Sequence, residues 1–593
     1  MAKISKRLAL ATLGGAIALA TVAACSSSGG GSNEPTGSTT SGGSTSASSS
    51  ATNAATGGTL YYSTGTRNVE HWDPQRMYIG RDLANASRLF YRTLTQLSGD
   101  NKLVPDLATD TGTATDGGKT WSFTLKDGVK WQDGSAITCD DVKYGVSRGF
   151  AQDVITGGPT YALQYLDIPS ATGDFSTAYH GPYTNVGQAD FDKAVVCSGN
   201  TITFHLKIAV GDFNYAVSGA LQEFAPYKKS EDKGDKSNFS VFSDGPYELQ
   251  GTWVDGQGGT FVRNTNYDPS TDEPGVRNAL PDKIVFLPNM PTETVFDRLL
   301  ADSGDDQALV TDRVAPPAYL ARAAAQKDRF TDGPSPFNDY LVPNFKTLKD
   351  PLVRQALAIA TDRTGYITAE GGSSVASPAT GLINPALGAA GGYQKFEAFP
   401  GTPDSGDPAK AKALLQQAGV TIPYPIHLTY SGGTPTTDKQ AAALKAGYEK
   451  AGFKVTLEGL SDTYYDVIQN PANASKYDLT WAGWGADWPS GSTVIGPLFD
   501  SRVNLSKSSN GQDYGYYQSD TTNAAIDAAF AETDATKRAA DWAALDKALA
   551  TDVAYIPLDV TNFPRLHGSK VTNYVENTST NGYPDLGQIG VSS

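Results

Sequence analysis

Cysteine and histidine are scarce in this chain, and only one stretch of it is both long and apolar. The five histidines, His71, His180, His205, His427 and His567, are scattered. No His-Glu-x-x-His and no Cys–His pairing at metal-ligand spacing occurs, so no zinc site is encoded locally. No cofactor is expected. Catalytic patterns are equally thin. Ser230-Glu231-Asp232-Lys233 fits Ser-x-x-Lys, but it lies in a charge-dense run and lacks its usual companion motifs. Gly118-Lys119-Thr120 mimics the end of a phosphate loop, yet Thr113 stands where the first glycine is required. Positive charge is also short: 47 Lys and Arg face 63 Asp and Glu, a net charge of −16. Such an acidic chain repels nucleic acid and anionic membrane surfaces, so neither is expected as a partner.

The apolar stretch is at the start. Lys3, Lys6 and Arg7 precede an uncharged run from Leu8 to Ala24, the pattern of a secretory signal. The run is short for a membrane span. It ends in Val22-Ala23-Ala24-Cys25, which resembles the bacterial lipobox, in which the cysteine is acylated after cleavage. The expectation is a signal peptide over 1–24 and a lipid on Cys25. An ordinary cleaved signal and an uncleaved span are the alternatives. Residues 25–56 are almost entirely Ser, Gly, Thr, Ala and Asn with little to bury, and read as a disordered tether with a reach on the order of 30 Å. Without the signal, the net charge falls by three to −19. The body from Gly57 to Ser593 is long for one domain, and two lobes are expected. Outside the membrane, Cys139 and Cys197 can form a disulfide. It would close a loop of about 58 residues and contribute about 4 kcal/mol. Two free buried thiols are the alternative.

Local patterning predicts a mixed α/β body. Residues 58–63 read as a strand, 82–94 as a helix, and 201–206 as an alternating strand. Trp121, Phe123 and Leu125 alternate with polar residues before an Asp127-Gly128 turn, and Val129 and Trp131 follow, which predicts a hairpin. Thr138 with Asp141 predicts a capped helix start. Asp350-Pro351 and Asp407-Pro408 predict two more, ending near Thr361 and at Gly419. A strand at 426–430, a helix at 438–451 and a strand at 453–457 form a β–α–β unit, which implies parallel pairing.

The order of motifs resembles the family 5 extracellular solute-binding proteins of ABC importers, the peptide and oligopeptide binders. The carriers are Leu103 to Ala108, Asp116 to Trp131 with Asp133-Gly134 and Asp140-Asp141-Val142, and Gly245-Pro246-Tyr247 with Trp253 and Asn264 to Tyr267. Val353 to Leu357 with Thr361-Asp362-Arg363, Ala409 to Gly419, and Tyr477-Asp478-Leu479 with Trp484 and Asp487 complete the series. The resemblance implies an α/β, two-lobed, periplasmic-binding-protein-like fold with a hinge of two crossing strands. The first lobe is expected at 57–309 plus 558–593, and the second at 310–557. It implies binding rather than catalysis, and separate permease and ATPase subunits as partners. A monomer is expected, held at the outer face of the cytoplasmic membrane by the lipid on Cys25.

The resemblance also assigns the ligand contacts. In the family's peptide binders an Asp in a Trp-x-x-Asp stretch takes the peptide's N-terminal ammonium, and Asp487 matches it here. Trp481, Trp484 and Trp488 flank it and are expected to line the cleft, Trp484 foremost because it lies in the motif. The loop from Thr64 to His71 is expected to face the same cleft, where His71-Trp72-Asp73-Pro74 departs from the family's Leu-Asp-Pro. Two other readings stay open. One is the same fold holding an oligosaccharide, opine, nickel chelate or small antibiotic. The other is an exported hydrolase or a surface signalling or adhesion protein.

Overall fold

The computed structural model describes residues 55–66, 68–170, 177–461, 463–505 and 510–593. The expected signal peptide, Cys25 and nearly all of the tether lie outside them. The described residues form a single compact unit, and no helix among them is long and apolar enough to cross a membrane.

Three sheets organise the body. The first is five-stranded and mixed. Thr59–Ser63 runs parallel to both of its neighbours, Leu309–Thr311 at the edge and Lys283–Leu287 at the centre, and Gly258–Arg263 and Tyr247–Val254 continue antiparallel. Leu60 and Tyr62 point inward on the two-residue period of a strand and are fully buried. They join a core centred on Trp72, whose ring meets Phe90, Trp253, Phe261 and Phe286 edge-on. A smaller antiparallel sheet orders Thr113–Thr115, Thr120–Thr124, Thr201–His205 and Val195–Ser198.

That small sheet corrects the expected hairpin. Trp121 pairs with Ala114 on one side and Phe204 on the other, not with the segment after the turn. The Asp127-Gly128 turn exists, with Gly128 at φ +84°, but Lys130 makes only an isolated bridge to Ala136. The alternation identified a strand correctly and could not name its partner. The first helix runs Gly80–Leu89 and stops short of Leu94. The backbone leaves the helical region at Phe90, and the Arg92 N–H donates to Asp244. The Cys139–Arg148 helix opens on a full capping box of Thr138 and Asp141. The structure joins Cys139 to Cys197, tying this helix to the edge of the small sheet at a Cα–Cα distance of 5.9 Å.

The third sheet has six strands, ordered Ala376–Pro378, Ile556–Leu566, Phe330–Pro343, Leu479–Gly485, Tyr424–Ser431 and Phe453–Leu460. The β–α–β unit forms as a parallel pair around the Pro435–Lys450 helix, which begins one turn early because Thr434 caps it and Pro435 sits at its first position. Tyr340, Val342 and Ala482 bury into one core, while Leu341, Leu428 and Leu479 bury into another. A sheet with a core on each face is covered by helices on both sides.

Two long strands, Phe330–Pro343 and Ile556–Leu566, link the lobes as an antiparallel pair from Phe330↔Leu566 to Leu341↔Ile556. Leu566 packs with Val295, Phe296 and Leu309 of the first lobe, whereas Leu341 and Ile556 pack in the second. The register slips between Pro334 and Asn338, at the crossing. The expected division at 309/310 would cut Leu309–Thr311, all of which lies in the first sheet. Leu558, expected in the first lobe, is packed in the second.

Candidate functional site

Asp487 lies just past the end of the Leu479–Gly485 strand, where the second lobe meets the first. Its carboxylate accepts hydrogen bonds from two first-lobe hydroxyls, those of Tyr161 and, at 3.1 Å, Tyr78. No Lys or Arg of the described residues forms an ion pair with it. Burial raises its carboxyl to about pH 6, against the opposing pull of the two hydroxyls. The Tyr161 hydroxyl is itself pushed well above its ordinary value, first by burial and then by the Asp487 charge.

Tyr161 is held from behind. It opens the Tyr161–Tyr165 helix, whose first N–H groups need acceptors. Glu223, fully buried, supplies them at 3.1 Å to Tyr161 and 2.9 Å to Ala162. Burial pushes the Glu223 carboxyl up to about 8.

The three tryptophans separate. Trp488 is buried against the first lobe, its ring 4.8 Å from that of Tyr161 and its Nε1 donating to Asp212 at 3.2 Å. Ser492 donates to the same Asp212 oxygen at 2.6 Å. Trp484 turns back into its own lobe and donates to the Thr493 carbonyl at 2.8 Å. Trp481 donates to the Tyr366 hydroxyl at 3.1 Å and lines a different cavity. His71 is engaged with Asn238 of the first lobe, and none of its hydrogen bonds goes to Asp487. The group from its segment that does reach Asp487 is Tyr78. Beside Asp487 and Trp488 lies a cavity of about 20 Å³, bordered by Ala84, Pro336, Thr578 and Asn581. That is room for about one water molecule, so the lobes stand closed on each other here.

Tyr78, Tyr161, Asp212, Glu223 and Ser492 were not anticipated from the sequence. Tyr161 falls within the irregular stretch 157–185, where no periodicity marks one residue over another.

The arrangement is a part-buried carboxylate between two lobes, and residues 102–506 match the model of the bacterial extracellular solute-binding proteins, family 5, middle region. The chain belongs to this family. Among family 5 relatives, the glutathione-binding protein GsiB of Salmonella typhi is 24% identical over 498 residues, covering 82% of this chain and 86% of GsiB. Among solved structures, clavulanic acid biosynthesis oligopeptide binding protein 2 is 26% identical at a TM-score of 0.81, covering 91% of this chain and 96% of its own. Haemophilus influenzae OppA in complex with the peptide RPPGFSPFR superposes at a TM-score of 0.63 with 20% identity, covering 90% and 99%. The fold is thus the two-lobed one of the family 5 binders, and the chain is an extracellular solute-binding component of an ABC importer.

Proposed function

We propose that this protein binds peptides between its lobes, pairs the peptide's N-terminal ammonium with Asp487, and hands the peptide to a permease. The observation that carries this reading is Asp487 itself, a carboxylate shielded at the lobe interface whose partners are neutral hydroxyls. Shielding without a cation disfavours the charged form of a carboxylate, and an arriving ammonium would supply the missing positive charge. The Tyr78 hydroxyl would turn with the first lobe as the cleft opens. Relatives named for glutathione and oligopeptide binding agree with this chemistry. A monomer anchored through Cys25 at the outer face of the cytoplasmic membrane, with separate permease and ATPase subunits, completes the proposal.

The test is a thermal-shift screen of di-, tri- and pentapeptides against cello- and xylo-oligosaccharides, with mass spectrometry of any solute carried through native purification. Stabilisation by peptides with a free N-terminus is expected. Stabilisation by the saccharides alone would reject the peptide reading and leave the binding fold intact.

A further inference from the structure

A second cavity, of about 260 Å³, lies in the second lobe between the sheet and the Arg363–Glu370 and Pro435–Lys450 helices. Its wall includes Asp339, Glu370, Tyr366, Tyr430 and Trp481. Asp559 stands directly across the long strands from Asp339, and its carboxyl contacts that of Glu370. Asp559 is fully buried, and neither its two oxygens nor Oε2 of Glu370 receives a donor from any described residue. Asp339 accepts from the Tyr366 hydroxyl at 3.3 Å. No Lys or Arg contributes to the electrostatics of the three acids.

Two carboxylates in contact in a shielded place either share a proton or, to stay ionised together, need a cation between them. Burial and mutual repulsion accordingly hold Asp339 and Asp559 above the ordinary carboxylate range, and burial does the same to Glu370. No group of three acids, histidines or cysteines among the described residues is arranged to hold a metal ion. The aromatic wall suits an organic cation, because a guanidinium stacks on an indole while its N–H groups fork to carboxylates. At about 260 Å³ the cavity is smaller than the roughly 300–1,000 Å³ of a whole-ligand site. It fits one side chain. Trp481 precedes Asp487 by six residues, so at about 3.3 Å per residue the two lie at most roughly 20 Å apart. A short extended peptide spans that distance.

We propose that this cavity is a subsite for a cationic side chain of the bound solute, a guanidinium or primary ammonium, held by Asp339 and Glu370 against the Trp481 ring, with the Asp559 charge behind them. The peptide backbone in this picture rests on the function proposed above, whereas the cation site does not.

Calorimetry with alanine pentapeptides carrying one arginine or one norleucine at each position in turn tests both. At one position arginine is expected to bind at least tenfold tighter than norleucine. The double variant Asp339→Asn/Glu370→Gln should erase that advantage, keep penta-alanine binding within twofold, and melt no lower than the native chain. Absence of any position favouring arginine, or an advantage that survives the double variant, would overturn the subsite. If no peptide binds, butylguanidine decides. Stabilisation of the native chain but not of the double variant supports the subsite while the peptide reading fails. No stabilisation, or stabilisation lost in Asp487→Asn and kept in the double variant, overturns it.

Discussion

Two aspartates bridge the lobes, one from each side, and they are built differently. Asp212 of the first lobe accepts an indole N–H and a hydroxyl from Trp488 and Ser492 of the second. Asp487 of the second lobe accepts two phenolic hydroxyls from the first. Asp212 is fully buried, and its partners are locked by packing around Trp488. Asp487 has burial working against its charge, and one of its partners, Tyr78, is substantially exposed. On the proposed function the contrast separates two tasks: Asp212 would fasten closed lobes together whatever lies between them, and Asp487 would receive a positive charge.

The largest effect is expected at the waiting carboxylate. Asp487→Asn should weaken binding of a free-amine peptide by about 2–5 kcal/mol, the usual loss when one partner of a shielded charge pair is removed. Titration calorimetry measures it, and N-acetylated peptides should bind the variant and the native chain alike. Next comes Glu223→Gln. The amide can accept only one of the two backbone N–H groups that Glu223 now serves, at a cost of about 1–3 kcal/mol of stability. Chemical denaturation reads the stability, and a smaller drop in peptide affinity should follow from misplacing Tyr161.

The third prediction concerns pH. The folded-state value of Asp487, about 6, lies above its ordinary 3.8, so below pH 6 the proton competes with the ammonium. Affinity at pH 5 should be roughly tenfold weaker than at pH 7, where the peptide's ammonium is still mostly protonated. The sign reverses for the stability of the free protein. Carboxyls raised in the fold, such as Asp487 and Glu223 at about 8, contribute stability that is complete below their unfolded values and is lost as pH rises through the folded ones. The free protein should therefore melt several degrees lower at pH 8 than at pH 5. A melting temperature flat over that range would contradict the account of these groups. The smallest effect is at the clasp. Asp212→Asn should cost about 1 kcal/mol of closure, roughly a fivefold faster dissociation, and should do so equally for acetylated and free peptides.

Much of the frame was legible in the sequence, for physical reasons that differ by element. Helix starts at Thr138, Asp350 and Asp407 are local chemistry: each side chain accepts from an N–H in the first turn it caps. The parallel pair around residues 424–460 follows from a helix between two strands. Partnership was not legible. The Trp121 strand chose a neighbour more than 75 residues away over its adjacent turn, because alternation encodes a face and not a partner. At the site, Asp487 stood out from its motif, but its neighbours did not. Trp481, Trp484 and Trp488 are alike on the page and went to a side cavity, a lobe core and the lobe interface. Tyr78 and Tyr161 sit in segments without periodicity, and only tertiary packing brings them to the carboxylate.

The most direct test of the central claim is a double-mutant-style cycle by calorimetry, with tri-alanine and N-acetyl-tri-alanine titrated into the native chain and into Asp487→Asn. If Asp487 pairs with the ammonium, acetylation and substitution each weaken binding at least thirtyfold, and together they cost no more than either alone. Equal affinities for the native chain and the variant, or losses that simply add, would contradict it.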